Sequence, residues 1–185
     1  MIDETLLEAE EKMDKAGEVA KDDFSTIRTG RASAAMFTKI VVDYYGSPTP
    51  LQQLASFNVP EARTMLIAPY DKSSMHAIER AIRDSDLGVN PTDDGGVIRI
   101  QLPVLTAERR KDFVRLAKTK AEEARVSVRA IRRHAKDALD RLAKDGDVGE
   151  DDVARAEKEL ESLTKKHVEH IDHLLAAKES ELLEV

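Results

Sequence analysis

The sequence predicts an α+β protein of two domains, an elongated antiparallel three-helix bundle with a small β/α/β domain inserted into it. Three observations carry that prediction. All six prolines (Pro48, Pro50, Pro60, Pro69, Pro91 and Pro103) fall between residues 48 and 103. A helix-interior proline costs about 3 kcal/mol, so long helices are confined to the outer segments. Those segments carry apolar residues three and four apart, whereas the middle carries short β-type runs broken by glycine and proline.

The first helix follows Ile2, Leu6, Met13, Ala16, Ala20, Phe24 and Ile27 and is expected to close at Thr29-Gly30. The middle segment, 31–103, then reads as strands over Lys39–Tyr45, Leu54–Val59, Thr64–Ala68 and Val97–Leu102, with Asp94-Gly95 as a turn. Ser74 to about Asp86 is amphipathic, with Met75, Ile78, Ala81 and Ile82 on one side. The second long helix, about 106–144, follows Phe113, Ala117, Ala121, Ala124, Val128, Ile131, Ala135 and Leu142. Thr106 is its candidate cap, without a capping box because Arg109 stands three residues on, and Lys144-Asp145-Gly146 closes it. The third, about 150–183, opens on Glu150, Asp151 and Asp152, which suit the positive helix start, and buries Val153, Ala156, Leu160, Leu163, Ile171 and Leu174. At 1.5 Å per residue the last two helices run on the order of 57 and 50 Å, and the short loop between them makes them antiparallel neighbours. Residues 1–30 and 104–185 therefore form the bundle. The inserted domain enters and leaves it near 29–31 and 102–106, so Thr29, Gly30, Arg31, Pro103, Leu105 and Thr106 are the candidate hinge.

Composition narrows the function. The chain has no Cys, which excludes a disulfide framework, a thiolate metal site and a cysteine nucleophile. Aromatic residues at 4% are too few for a base-stacking platform. No apolar run approaches the ~18 residues of a membrane span, and the acidic start (Asp3, Glu4, Glu8) is no signal peptide; a cytoplasmic protein without membrane contact is expected. There is no GxGxxG, Walker-type loop, GxSxG or HExxH, so no catalytic residue and no cofactor is expected. His167, His170 and His173 are the one metal-like cluster. Their spacing turns the outer pair about 120° apart around the helix, which does not converge three ligands on one ion, so no metal site is expected.

Charge placement is the strongest local signal. The total of −7 argues against nucleic acid, but it is not evenly spread. Residues 108–136 hold eleven cations against four carboxylates, a block of +7, while residues 1–30 sum to −5 and 137–185 to −8. At 100° per residue, Arg125, Arg129, Arg132, Arg133 and Lys136 lie within about 100° of one another, and the apolar stripe centres roughly 125° away. Lys111 and Lys118 share the basic sector, which Glu122 interrupts. A solvated face paired with neighbouring carboxylates is the ordinary outcome for such a run. Four arginines among five cations, with no carboxylate before Asp137, instead favour phosphate binding by backbone shape.

Several motifs carry a further resemblance. Arg28-Thr-Gly-Arg-Ala-Ser33, Val42-Asp-Tyr-Tyr-Gly-Ser-Pro-Thr-Pro-Leu51 and Gln53-Leu-Ala-Ser56, then Ser85-Asp-Leu-Gly-Val-Asn-Pro91, Leu105-Thr-Ala-Glu-Arg-Arg-Lys111 and Val126-Ser-Val-Arg-Ala-Ile-Arg-Arg133, resemble the bacterial ribosome recycling factor family in order across nearly the whole chain. The resemblance implies an L-shaped, hinged molecule of roughly transfer-RNA proportions. It implies a cytoplasmic monomer that, with elongation factor G and its GTP hydrolysis, splits the post-termination 70S ribosome into subunits and frees it from mRNA. In the family the bundle lies on large-subunit 23S ribosomal RNA and the smaller domain meets elongation factor G. Carried onto this sequence, it weights Arg132 most, with Arg129 and Arg133 beside it, Arg28 and Arg31 in the hinge motif, and Arg110 opening the basic helix. Two departures stand out: Ala130 where the motif has Asn, and Gly149 where Ser precedes Glu-Asp-Asp. Two other readings remain, a helical adaptor or oligomerising bundle and a metallohydrolase built on the His cluster.

Overall fold

The computed structural model describes residues 1–184. In chain order the elements are α1 (Ile2–Ser25), β1 (Val41–Tyr44), β2 (Ser47–Pro50), β3 (Ala55–Glu61), β4 (Thr64–Pro69), α2 (Met75–Arg83), β5 (Thr92–Asp93), β6 (Ile98–Gln101), α3 (Ala107–Lys144) and α4 (Glu150–Leu183). Short 3-10 turns lie at Ala34–Phe37, Leu51–Gln53 and Lys72–Ser74. The chain divides into two compact units, one of residues 1–27 with the chain from 111 onward, the other Arg28–Arg110.

The first unit is the helical bundle. Its core joins Leu6, Met13, Ala20 and Phe24 of α1, Ala117, Ala121, Val128 and Leu139 of α3, and Val153, Leu160, Ile171 and Leu182 of α4. Alanines at 117, 121 and 124 keep the buried stripe of α3 shallow, and the close backbone approach within the bundle is between α1 and α4. Ion pairs fix the register. Arg125 meets Asp172 and Arg132 meets Glu161, so α3 and α4 run antiparallel. His167 meets Asp14, and a Cβ on Gly17 would meet His170 at 3.8 Å, so α1 and α4 run in the same direction.

Helix ends follow local hydrogen bonding. α1 stops at Ser25, four residues short of the predicted Thr29-Gly30 closure. The hydroxyls of Ser25 and Thr26 donate to the carbonyls of Asp22 and Asp23 at 2.7 and 2.8 Å, and the Ile27 N–H turns back to Phe24, so the last turn is satisfied early. α3 is capped by Thr106, whose Oγ1 accepts from the Arg109 N–H at 3.1 Å. It closes with Gly146 at φ +78°, the Asp147 N–H reaching Leu142 and the Gly146 N–H reaching Ala143, the paired bonds of a Schellman turn.

The second unit holds a two-stranded and a four-stranded antiparallel sheet, the latter in the order β3-β4-β6-β5. Strand β6 alternates cleanly, with Ile98 and Ile100 buried and Arg99 and Gln101 exposed. These isoleucines, with Phe37, Val42, Leu51, Met65 and Ile67, enclose Met75, Ile78 and Ile82 of α2 in a separate core. Two strands escaped the sequence reading. β2 consists of Ser47-Pro-Thr-Pro50, whose prolines argue against a strand, yet it pairs with β1 on one side only, and an edge strand tolerates proline. β5 has two residues and no apolar signature. The β1–β2 turn places Tyr45 at φ 50° and Gly46 at φ 80°, the pair of positive angles of a type I′ hairpin turn.

Candidate nucleic-acid interface

The basic face lies on α3, and packing sorts its cations into three kinds. Arg125 is tied down. Its side chain is 19% exposed, and its guanidinium donates through Nε and Nη2 to Asp172 Oδ1 at 2.8 and 2.7 Å and through Nη1 to Glu122 at 3.0 Å. Burial opposes its charge, but the hydrogen bonds it donates to Asp172 and Glu122 outweigh that and hold its pKa above the ordinary arginine value. Arg125 therefore works as a clamp between α3 and α4.

Arg129 and Arg132 are loosely held. Arg129 reaches Glu122 at 3.4 Å with half its side chain exposed, and Arg132 reaches Glu161 of α4 at 3.3 Å through Nη1 alone. Contacts of this length in water are worth about 0–1 kcal/mol. Arg133 and Lys136 are exposed and have no ion pair among the described residues. One helical turn separates them, so they present two charges side by side. Ala130, in place of the motif's Asn, offers no side-chain polar atom between these cations.

The remaining candidates belong to the other unit or to its edge. Arg28 donates through Nη2 to the Asp86 carbonyl, so this guanidinium ties the loop after α2 to the segment before β1. The Arg31 N–H donates to Thr29 Oγ1 at 3.4 Å. Arg110, in the first turn of α3, is half-buried, and its backbone N–H donates to Thr106 at 3.0 Å. Gly30 stands at φ +81°, and a Cβ there would meet Leu105 Cγ at 3.4 Å, so two of the hinge candidates touch within one unit. Pro103 is exposed.

The three histidines do not converge. His167 is buried and bridges the Leu163 carbonyl at 2.9 Å and Asp14 Oδ1 at 2.7 Å, while His170 and His173 are exposed. Among the described residues no group of three His, Cys, Asp or Glu side chains is placed to hold a metal ion. Among the same residues no helix is long and apolar enough to cross a membrane.

Sequence reasoning weighed pairing of the basic face with carboxylates of the neighbouring helices but did not single out which ones. Glu161 and Asp172 lie 29 and 47 residues from their arginines, and only the α3–α4 register brings them together. Each pair sums to nearly the same residue total, as an antiparallel register demands, and that was the one signal available.

The order of motifs along the chain is decided by comparison. The family model for ribosome recycling factor matches residues 20–183. The chain belongs to the ribosome recycling factor family. The ribosome-recycling factor of Kineococcus radiotolerans is 69% identical over all 185 residues of both chains, and that of Acidothermus cellulolyticus is 68% identical over the same span. A solution structure of the ribosome recycling factor aligns with 100% of this chain and 98% of its own at a TM-score of 0.83 and 42% identity. A model of the T. thermophilus ribosome recycling factor, with E. coli elongation factor G on the E. coli post-termination complex, aligns over the whole of both chains at 0.71 and 42% identity. As a ribosome recycling factor the chain is a translation factor and not an enzyme.

Proposed function

We propose that this ribosome recycling factor attaches to large-subunit 23S ribosomal RNA through Arg129, Arg132, Arg133 and Lys136, and acts there with elongation factor G. The observation that carries the reading is the exposure of Arg133 and Lys136, cations without carboxylate partners among the described residues, on a helix fixed by the Arg125 clamp. Guanidinium and ammonium groups held on a rigid element bind phosphate with little further ordering cost. The acidic remainder of the chain repels RNA elsewhere and confines attachment to this face.

The second unit is then the part that elongation factor G engages, as a cytoplasmic monomer on the 70S ribosome. Thr29, Gly30, Arg31, Pro103, Leu105 and Thr106 form the joint, supported by the lack of regular structure through 28–33 and 102–106 and by the positive φ of Gly30. GTP hydrolysis on elongation factor G moves the second unit while the bundle stays on RNA, and intersubunit contacts give way. Light scattering of post-termination ribosomes with elongation factor G and GTP tests this. Arg132→Ala should slow splitting at limiting factor and recover at high factor concentration. Splitting at the wild-type rate throughout would contradict it.

A further inference from the structure

We propose that Glu161 is a built-in competitor for the phosphate that Arg132 binds, so that RNA must displace a carboxylate to engage that arginine; this rests on the basic face being the RNA-binding surface. The geometry distinguishes Glu161 from the other α4 carboxylate that reaches α3. Asp172 receives two donors of Arg125 at 2.8 and 2.7 Å, and that arginine is largely buried. Glu161 receives one donor of Arg132 at 3.3 Å, with 72% of its own side chain exposed. A planar guanidinium has five donors, and this pair uses one of them in the one-armed way that leaves a two-armed phosphate contact superior.

Arg133 lies next to Arg132 in sequence and Lys136 one turn on, both exposed. A surface offering several phosphates meets these two first and raises the local phosphate concentration at Arg132, where exchange of partners then follows. An isolated anion has no such help and competes with a carboxylate that is always present. Glu161 thus sets a threshold that favours an extended phosphate surface over single anions. Because an exposed pair is weak, its removal should tighten binding by about two- to fivefold and no more.

The experiment is equilibrium binding of the full chain to purified 70S ribosomes at fixed salt, for wild type, Glu161→Gln, Arg132→Ala and the double variant, with Glu159→Gln as the control. Glu159 lies on α4 and makes no ion pair with the basic face among the described residues. Glu161→Gln should tighten binding by about two- to fivefold. It should have no effect in the Arg132→Ala background, and Glu159→Gln should match wild type. If Arg132→Ala weakens binding but Glu161→Gln does not tighten it, the competitor role is overturned while the basic face stands. Tightening that persists without Arg132, or appears equally with Glu159→Gln, would reflect the general field and also overturns it. Weaker binding by Glu161→Gln would make the carboxylate a positioner of Arg132 and overturn it. An inert Arg132→Ala would overturn both readings.

Discussion

Gly30→Ala tests whether the segment before β1 is held in its left-handed turn at Gly30. At φ +81° an L-residue meets its own carbonyl sterically, which costs roughly 1–2 kcal/mol. Alanine also restricts the unfolded chain, which returns about 0.4–1 kcal/mol. The new Cβ would stand 3.4 Å from Leu105 Cγ, and a small rotation of that half-buried leucine relieves the contact. The net is a loss of about 1 kcal/mol in the second unit. With a urea m-value of about 1–2 kcal/mol/M for a domain of this size, the midpoint should fall by roughly 0.5–1 M. The assay is built into the sequence. The chain has no Trp, and all three tyrosines (Tyr44, Tyr45 and Tyr70) lie in the second unit, so tyrosine fluorescence follows that unit alone. Gly30→Asn should lose less than Gly30→Ala, because Asn tolerates this region better. In a double-mutant cycle with Leu105→Ala the coupling should stay under about 0.5 kcal/mol. A Gly30→Ala midpoint equal to or above wild type would refute the reasoning.

Three further outcomes follow from the same contacts. Gly149 begins α4 at φ −74° and ψ 150° with no side-chain cap, so Gly149→Ser should stabilise the bundle by roughly 0.5 kcal/mol, raising its 222 nm melting midpoint by about 2–4 °C. Arg125→Ala should destabilise the bundle by about 1 kcal/mol through loss of the Asp172 and Glu122 bonds, whereas Arg133→Ala should stay within about 0.5 kcal/mol of wild type, both read in a urea titration of helicity at 222 nm. Asp71 is held below the ordinary carboxylate range chiefly by the Ser73 hydroxyl, then by the Ser73 N–H and the Tyr44 hydroxyl. Its contribution is therefore complete above its unfolded pKa and is lost as pH falls through its lower folded value, so Asp71→Asn should flatten the acid side of the tyrosine-monitored stability profile.

Much of this molecule is legible in its sequence, and the failures have local causes. The long helices were readable because three- and four-residue apolar spacing persists over 24 to 38 residues, and chain-length errors at their ends are small beside that. Thr29-Gly30 misled because glycine is a common stop signal, whereas the Ser25 and Thr26 hydroxyls had already satisfied the carbonyls that a stop must satisfy. β2 was hidden because its two prolines signal the absence of a strand, and only the sheet's topology shows that their missing donors point away from any partner. At the candidate site, helical phase alone placed the five cations on one face. It could not rank them, because the clamp at Arg125 and the loose pair at Arg132 depend on which α4 carboxylate the register brings opposite, and only the Glu122 contacts lie within α3 itself.

The salt dependence of ribosome binding tests the basic face most directly. The dissociation constant for purified 70S ribosomes should be measured from low to physiological salt for wild type and for Arg133→Ala/Lys136→Ala, with Lys12→Ala of α1 as a control for charge alone. Each cation that neutralises an RNA phosphate contributes about 0.7–0.9 to the slope of log affinity against log salt. The double variant should therefore bind more weakly and lose on the order of 1.5 from that slope, with Lys12→Ala close to wild type. A double variant with unchanged affinity and unchanged slope would contradict phosphate recognition by this face.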